Sequence, residues 1–144
     1  KNKKIKINSN IKKLLNEEEK FGIKRYETYK NFAKKIYKIK EKVVNRITQL
    51  KNEKNKIIGY GSPAKATTAL NFFGISSEID CIVEDNKLKQ GKFLPGMKIP
   101  IIAKENLKKK PDYALVLAWN FFDEIKKKNR GLVHKFISIK DLEI

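Results

Sequence analysis

The 144-residue sequence has one Cys, one His, one Met and one Trp, and only Arg25, Arg46 and Arg130 among its 34 basic residues are arginines. Each scarcity excludes something. A lone Cys81 cannot build an internal disulfide framework or a cysteine-based zinc site. A lone His134, with no Cys or acid at ligand spacing, offers no histidine metal centre and reads as a surface or structurally satisfied histidine. No apolar run approaches the roughly 18 residues of a membrane span. The opening KNKKIKINSN has neither the apolar core nor the cleavage site of a secretory signal. No G-x-S-x-G or H-E-x-x-H motif is present, so hydrolase chemistry has no support. The expectation is a soluble, cytoplasmic protein of about one domain, without membrane partners. Because it does not begin with Met, it reads as a piece of a longer chain.

What is abundant is positive charge, a formal +18. Residues 1–56 hold 19 basic and 6 acidic side chains, and residues 57–144 hold 15 and 10, so the front segment carries most of the excess. Basic excess suggests nucleic acid, but Arg is the side chain suited to bidentate recognition of bases and phosphates, and its scarcity argues against that partner. Lys, Ile and Asn all have AT-rich codons, and skewed base composition accounts for much of the lysine.

Periodicity divides the chain into a helical lead-in over 1–55 and an α/β domain over 56–144. Ile11, Leu14, Leu15 and Phe21 make one apolar face on a short helix, with Asn10 placed to cap its start and Gly22 to end it. From Arg25 to Asn52 there is no Gly or Pro, and Tyr29, Ile36, Val43 and Leu50 recur every seven residues. This predicts a long amphipathic helix, packed on a neighbouring domain or paired in a homodimeric coiled coil. Tyr26, Tyr29 and Tyr37, at helical spacing, are expected in the core.

After Lys56 the pattern alternates. KIIGYG, EIDCIVED, KIPIIA and DYALVLAW read as strands, as does LVHKFISI at the end. SPAKATTALNFFG reads as a helix with Ser62 as N-cap and Pro63 in its first turn, AKENLKKK as a short helix, and NFFDEIKKKN as a helix closed by Gly131. Strands alternating with helices predict a Rossmann-like half-fold, α/β, with a mostly parallel sheet.

The candidate ligand site starts at Gly59-Tyr60-Gly61-Ser62-Pro63-Ala64, a G-x-G-x-x-A turn between strand and helix. In such turns the first glycine permits the bend, the second lets a phosphate approach, and the helix N-terminus offers N–H groups to the anion. Lys65 adds a charge. Asp85, at the end of the second strand, stands where such folds bind ribose hydroxyls. Pro63 removes one N–H, which weighs against NAD. Other ligand candidates are Asn86, Lys89, Gln90 and Gly91, suited to a diphosphate or sugar hydroxyls, and Trp119 and Asn120 at the end of the strongest strand. Pro95-Gly96 reads as the centre of a type II turn.

Three stretches, GYGSPAKATTALNFFGI, VEDNKLKQGKFLPGMKIPI and KPDYALVLAWNFFDEI, together resemble the C-terminal domain of SAM-dependent sugar C-methyltransferases. They match its G-Y-G-x-P-A-K turn, its D-x-N-x-x-K-Q-G-x-x-x-P-G segment, its I-P-I strand and its P-D-Y…W-N strand end, in order. The resemblance implies a nucleotide-linked sugar as substrate, SAM held by a preceding domain, and a cysteine-rich zinc domain before that. Neither of those domains is in this sequence. It implies that this chain alone is inactive, carries no catalytic residue, and grips substrate or packs on the catalytic domain. The alternative is a free-standing nucleotide- or NAD-binding module.

Overall fold

Short runs of branched aliphatic residues, polar on neither side, favour strands buried on both faces. Five form: β1 (Ile57–Tyr60), β2 (Ile82–Val83), β3 (Ile101–Ile102), β4 (Tyr113–Val116) and β5 (Lys135–Ile137). The computed structural model describes residues 8–142. The strands are parallel throughout, in the order β3-β2-β1-β4-β5. This is the expected α/β, Rossmann-like architecture. Strand order reverses direction between β1 and β4, because the chain leaves β1 toward β2 on one side and returns to β4 on the other.

Four helices accompany the sheet: α1 (Ser9–Phe21), α2 (Tyr26–Asn52), α3 (Ala64–Phe73) and α4 (Phe122–Lys128). The chain divides into two compact units, residues 1–38 and 39–144, so α2 contributes turns to each. In the larger unit the pleat sorts side chains cleanly. Ile57, Ile82, Leu115 and Leu117 face one side, where they form a core with Val43, Ile47 and Leu50 of α2 and Ala66, Leu70 and Phe73 of α3. Ile58, Tyr60, Val83, Ala114 and Val116 face the other, against Phe122 and Ile125 of α4.

In the smaller unit, α1 ends on Gly22, whose left-handed conformation lets its N–H reach the carbonyls of Glu18 and Glu19. Thr28 Oγ1 donates to the Gly22 carbonyl at 2.8 Å and holds the corner into α2.

Several local expectations change. The α1 cap is Asn8, whose side chain accepts the Asn10 N–H; Asn10 already lies in the helix. Tyr26, Tyr29 and Tyr37 are exposed rather than core. The seven-residue row of α2 is spent unevenly: Val43 and Leu50 are buried in the domain core while Tyr29 is open. AKENLKKK forms only a single 3₁₀ turn, Lys104–Asn106. The fourth helix stops at Lys128, and Asn129, not Gly131, ends it by donating from Nδ2 to the Ile125 carbonyl. The last strand is confined to Lys135–Ile137, and His134 is exposed before it.

Pro95 and Gly96 sit in the expected turn, closed by Met97 N–H to Leu94 O, with Gly96 at φ 80°. A Cβ on Gly96 would also meet Asn71 Oδ1, whose amide nitrogen donates to the Pro95 carbonyl at 3.0 Å. This hairpin covers the β3 edge, with Gly91 N–H to Ile101 O and Ile101 N–H to Lys92 O.

Candidate functional site

At the carboxyl ends of the strands, beside the reversal between β1 and β4, lies a cavity of about 350 Å³. Ligands of open α/β sheets gather at such switch points. Gly61 and Ser62 follow β1, Glu84 and Asp85 follow β2, Ala118 follows β4, and Phe121 and Lys128 come from the last crossover. A more polar cavity of about 480 Å³ adjoins it and shares Glu84, Asp85 and Lys128.

The glycine turn is built differently from the motif's usual account. Gly59 lies inside β1, not in the bend. A Cβ there would stand 3.0 Å from both Ile82 and Leu117, so its smallness serves sheet packing. Gly61 makes the bend, with φ 82° and its Cβ position 3.1 Å from the Ala118 methyl. Gly61→Val would therefore strain the fold as well as any ligand site.

Ser62 is not a helix cap. Pro63 occupies the cap position without a side-chain bond, and the Ser62 hydroxyl donates instead to Glu84 Oε2 at 2.6 Å. The Ser62 N–H donates to the same oxygen at 2.8 Å. Glu84 Oε1 accepts the Asn86 N–H at 3.0 Å. Lys89 donates to the Ser62 carbonyl at 2.9 Å and lies 3.7 Å from Glu84 Oε2. Gln90 donates to the Glu84 carbonyl at 2.7 Å, and Asn86 Oδ1 accepts the Leu88 N–H. Asn86, Lys89, Gln90 and Gly91 thus spend polar groups on holding the second loop and its hairpin.

Glu84 is the residue that sequence reasoning missed, though a signal was present. Counting back from Asn86, Lys89, Gln90 and Gly91 through D-x-N-x-x-K-Q-G puts the motif's acid at position 84, where this chain has Glu, not at Asp85. Burial pushes the Glu84 carboxyl up, but the Ser62 hydroxyl, the Asn86 and Ser62 N–H groups and the Lys89 charge outweigh it and hold the group below its usual range.

Asp85 has both oxygens engaged. Oδ1 accepts the Tyr60 hydroxyl at 3.0 Å, and Oδ2 accepts Lys128 Nζ at 3.0 Å. Burial raises its pKa, and Lys128 and Tyr60 more than reverse that, so it too stays ionised below its usual range. The Tyr60 phenol is pushed up, first by burial and then by Asp85, so it remains a donor at neutral pH. Lys65 Nζ lies 4.2 Å above the centre of the Trp119 ring and covers that face of it. Asn120 is exposed and caps nothing, since α4 starts from Phe121 with no side-chain cap. No group of His, Cys, Asp and Glu able to hold a metal occurs among the described residues.

A further cavity of about 660 Å³ lies elsewhere, beside Lys56, Cys81 and Pro111. Burial, helped by the Asp80 charge, pushes the Cys81 thiol up to about 11, so it is no nucleophile at neutral pH.

Because the Glu84 carboxylate gains its hydrogen bonds and the Lys89 charge only in the folded protein, its folded pKa lies below the usual 4.5. The stability it supplies is complete above that value and is lost as pH falls through the lower folded one. Glu84→Gln is expected to cost about 1–2 kcal/mol at neutral pH and to flatten the acid limb below pH 4.5 in urea melts taken across pH. An acid limb as steep as the wild type's would show that this carboxylate is not linked to folding.

Sheet order, switch-point crevice and glycine turn define a Rossmann-like domain with a ligand-sized opening between its loops. Residues 1–138 match the family of C-methyltransferase C-terminal domains, and the chain belongs to that family. It is 33% identical over 117 residues to the C-methyltransferase NovU of Streptomyces niveus, a stretch that makes up 80% of this chain and 28% of that protein. The chain therefore spans little more than a quarter of the relative's length. Methyl transfer in such a family implies SAM, but the residues of this crevice do not fit it. The glycine turn, whose donors would take its carboxylate, already holds the Glu84 carboxylate on the Ser62 N–H and hydroxyl.

Proposed function

We propose that this chain is the part of a SAM-dependent C-methyltransferase that receives a nucleotide-linked sugar. In this reading SAM and the reacting groups belong to other parts of a longer protein, where the family's zinc-binding domain also lies, and the chain alone does not transfer methyl groups. The observation that carries it is the switch-point crevice in a chain of this family. There the Asp85 carboxylate, the Lys89 and Lys128 ammonium groups and the exposed Phe121 ring surround one opening. Carboxylate and ammonium groups bracket sugar hydroxyls, and an exposed ring packs against the apolar face of a sugar or base. From the sequence-derived candidates, Tyr60, Gly61, Ser62, Pro63, Asp85 and Lys89 line this opening. Gly59 serves the sheet behind it, and Gln90 lines the adjoining cavity.

The same reading gives the lead-in helices a role. Ile11, Leu14, Leu15 and Phe21 of α1, with Tyr29 and Phe32 of α2, leave an apolar surface open to solvent. Exposed surface of that kind marks contact with another protein surface, here the catalytic part of the same protein. No helix among the described residues is long and apolar enough to cross a membrane. A single unpaired thiol suits the cytoplasm.

A thermal-shift panel with TDP- and UDP-linked sugars, SAM, NAD and duplex DNA, at two salt concentrations, tests the proposal. Stabilisation follows RT ln(1 + [L]/Kd), so millimolar ligand reveals weak sites. Nucleotide sugars should raise the melting temperature at both salt concentrations. A shift with NAD, or a salt-sensitive shift with DNA, and none with the sugars would overturn it.

A further inference from the structure

The glycine turn has the parts of a phosphate cradle, and all of them are already in use. Gly61 makes the bend in the left-handed conformation, and its own N–H goes to the Val83 carbonyl at 2.8 Å. Ser62 adds an N–H and a hydroxyl, and Lys89 supplies a cation from the facing loop. A phosphate arriving here would take those donors. Instead one carboxylate oxygen of Glu84 accepts both Ser62 groups, at 2.8 and 2.6 Å, while the other accepts the Asn86 N–H at 3.0 Å. Lys89 stands 3.7 Å from the same carboxylate. Pro63 has no N–H to offer as a substitute. The Glu84 side chain is only 12% exposed, so solvent does not loosen the arrangement.

We infer that Glu84 is a built-in anion that stands in for phosphate and closes the glycine turn to phosphate-bearing ligands. A phosphate could enter only by displacing the carboxylate or by sharing its donors with a second negative charge beside it. Glu84 is thus a specificity-determining residue. It keeps a dinucleotide from docking in the manner of other Rossmann-like domains, and it obliges any nucleotide-linked ligand of the crevice to present an uncharged ring to Tyr60, Asp85 and Phe121. The inference rests on the geometry of the turn and stands whether or not the ligand is a nucleotide sugar.

The test uses the ¹⁵N-labelled 144-residue chain and inorganic pyrophosphate. In the wild type, millimolar pyrophosphate should leave the Ser62 and Asn86 amide resonances in place, even if exposed lysines respond elsewhere. Glu84→Ala frees the donors, and its Ser62 amide should shift and saturate, with affinity at least roughly tenfold above the wild type. Should the alanine variant fail to fold, Glu84→Gln keeps the shape without the charge, and the same amide should respond more weakly. A wild-type Ser62 amide that saturates at the variants' concentrations would overturn the inference. So would folded variants whose Ser62 amide stays still, because the turn would then be no anion cradle.

Discussion

Ile47→Ala is expected to lower stability by about 3 kcal/mol, within the range for large-to-small changes at well-packed sites. Removing α2 altogether, in a chain beginning at Asn55, is expected to abolish cooperative folding. The reason is where the second half of α2 sits. Val43, Ile47 and Leu50 are at most 1% exposed and share one cluster with Ile57, Leu70, Ile82 and Leu115. A parallel sheet needs both faces covered, and on this face the cover is α2 together with α3. Without α2, the Leu115 and Ile57 side of the sheet meets water. A chain beginning at Ile39 keeps that cover and should retain the urea transition with a similar slope. A cooperative transition from the chain beginning at Asn55, with the slope of the whole α/β unit, would contradict this.

Gly59→Val is the second large effect, an expected loss of about 3 kcal/mol at the upper end of the overpacking range. The Cβ alone would stand 3.0 Å from Ile82 Cγ1 and from Leu117 Cδ1, and valine adds two further methyl groups. Both neighbours are fully buried, so they cannot swing out into solvent. Valine's preference for strands offsets at most about 1 kcal/mol. Denaturant melts measure the loss directly. A variant within 0.5 kcal/mol of the wild type, the ordinary surface range, would mean that the strands around Gly59 are loosely packed.

The same glycine shows how far the sequence could be read. KIIGYG, followed by a helix with Pro63 near its start and Gly74 at its end, identified the strand–turn–helix unit, and Gly74 does close α3 in the left-handed conformation. The strands were legible because Ile82-Val83, Ile101-Ile102 and Tyr113–Val116 are apolar runs with turn residues around them. What the pattern could not reveal was which contacts each residue makes at long range. Gly59 belongs to the sheet because Ile82 of β2 and Leu117, just past β4, close on it. Ser62 makes no cap because its hydroxyl goes to Glu84, 22 residues on. Lys65 and Trp119 meet across 54 positions of sequence.

Helix periodicity had a related blind spot. The row through Tyr29, Ile36, Val43 and Leu50 is regular, yet only its second half finds the sheet. AKENLKKK lacked the apolar face that would hold a helix on the sheet, and Leu107 alone packs there. The crevice was legible as the end of three strands, whereas its internal carboxylate was hidden by a one-residue offset between Glu84 and Asp85.

The most direct measurement is an amide-shift titration of the labelled chain with a TDP- or UDP-linked deoxysugar. The account predicts saturable shifts at Tyr60, Asp85, Phe121 and Lys128, around the opening beside the β1–β4 reversal. SAM at the same concentration should leave those residues unmoved. Shifts from SAM at that opening, or none there from either nucleotide sugar, would contradict the proposal that this domain receives the sugar substrate.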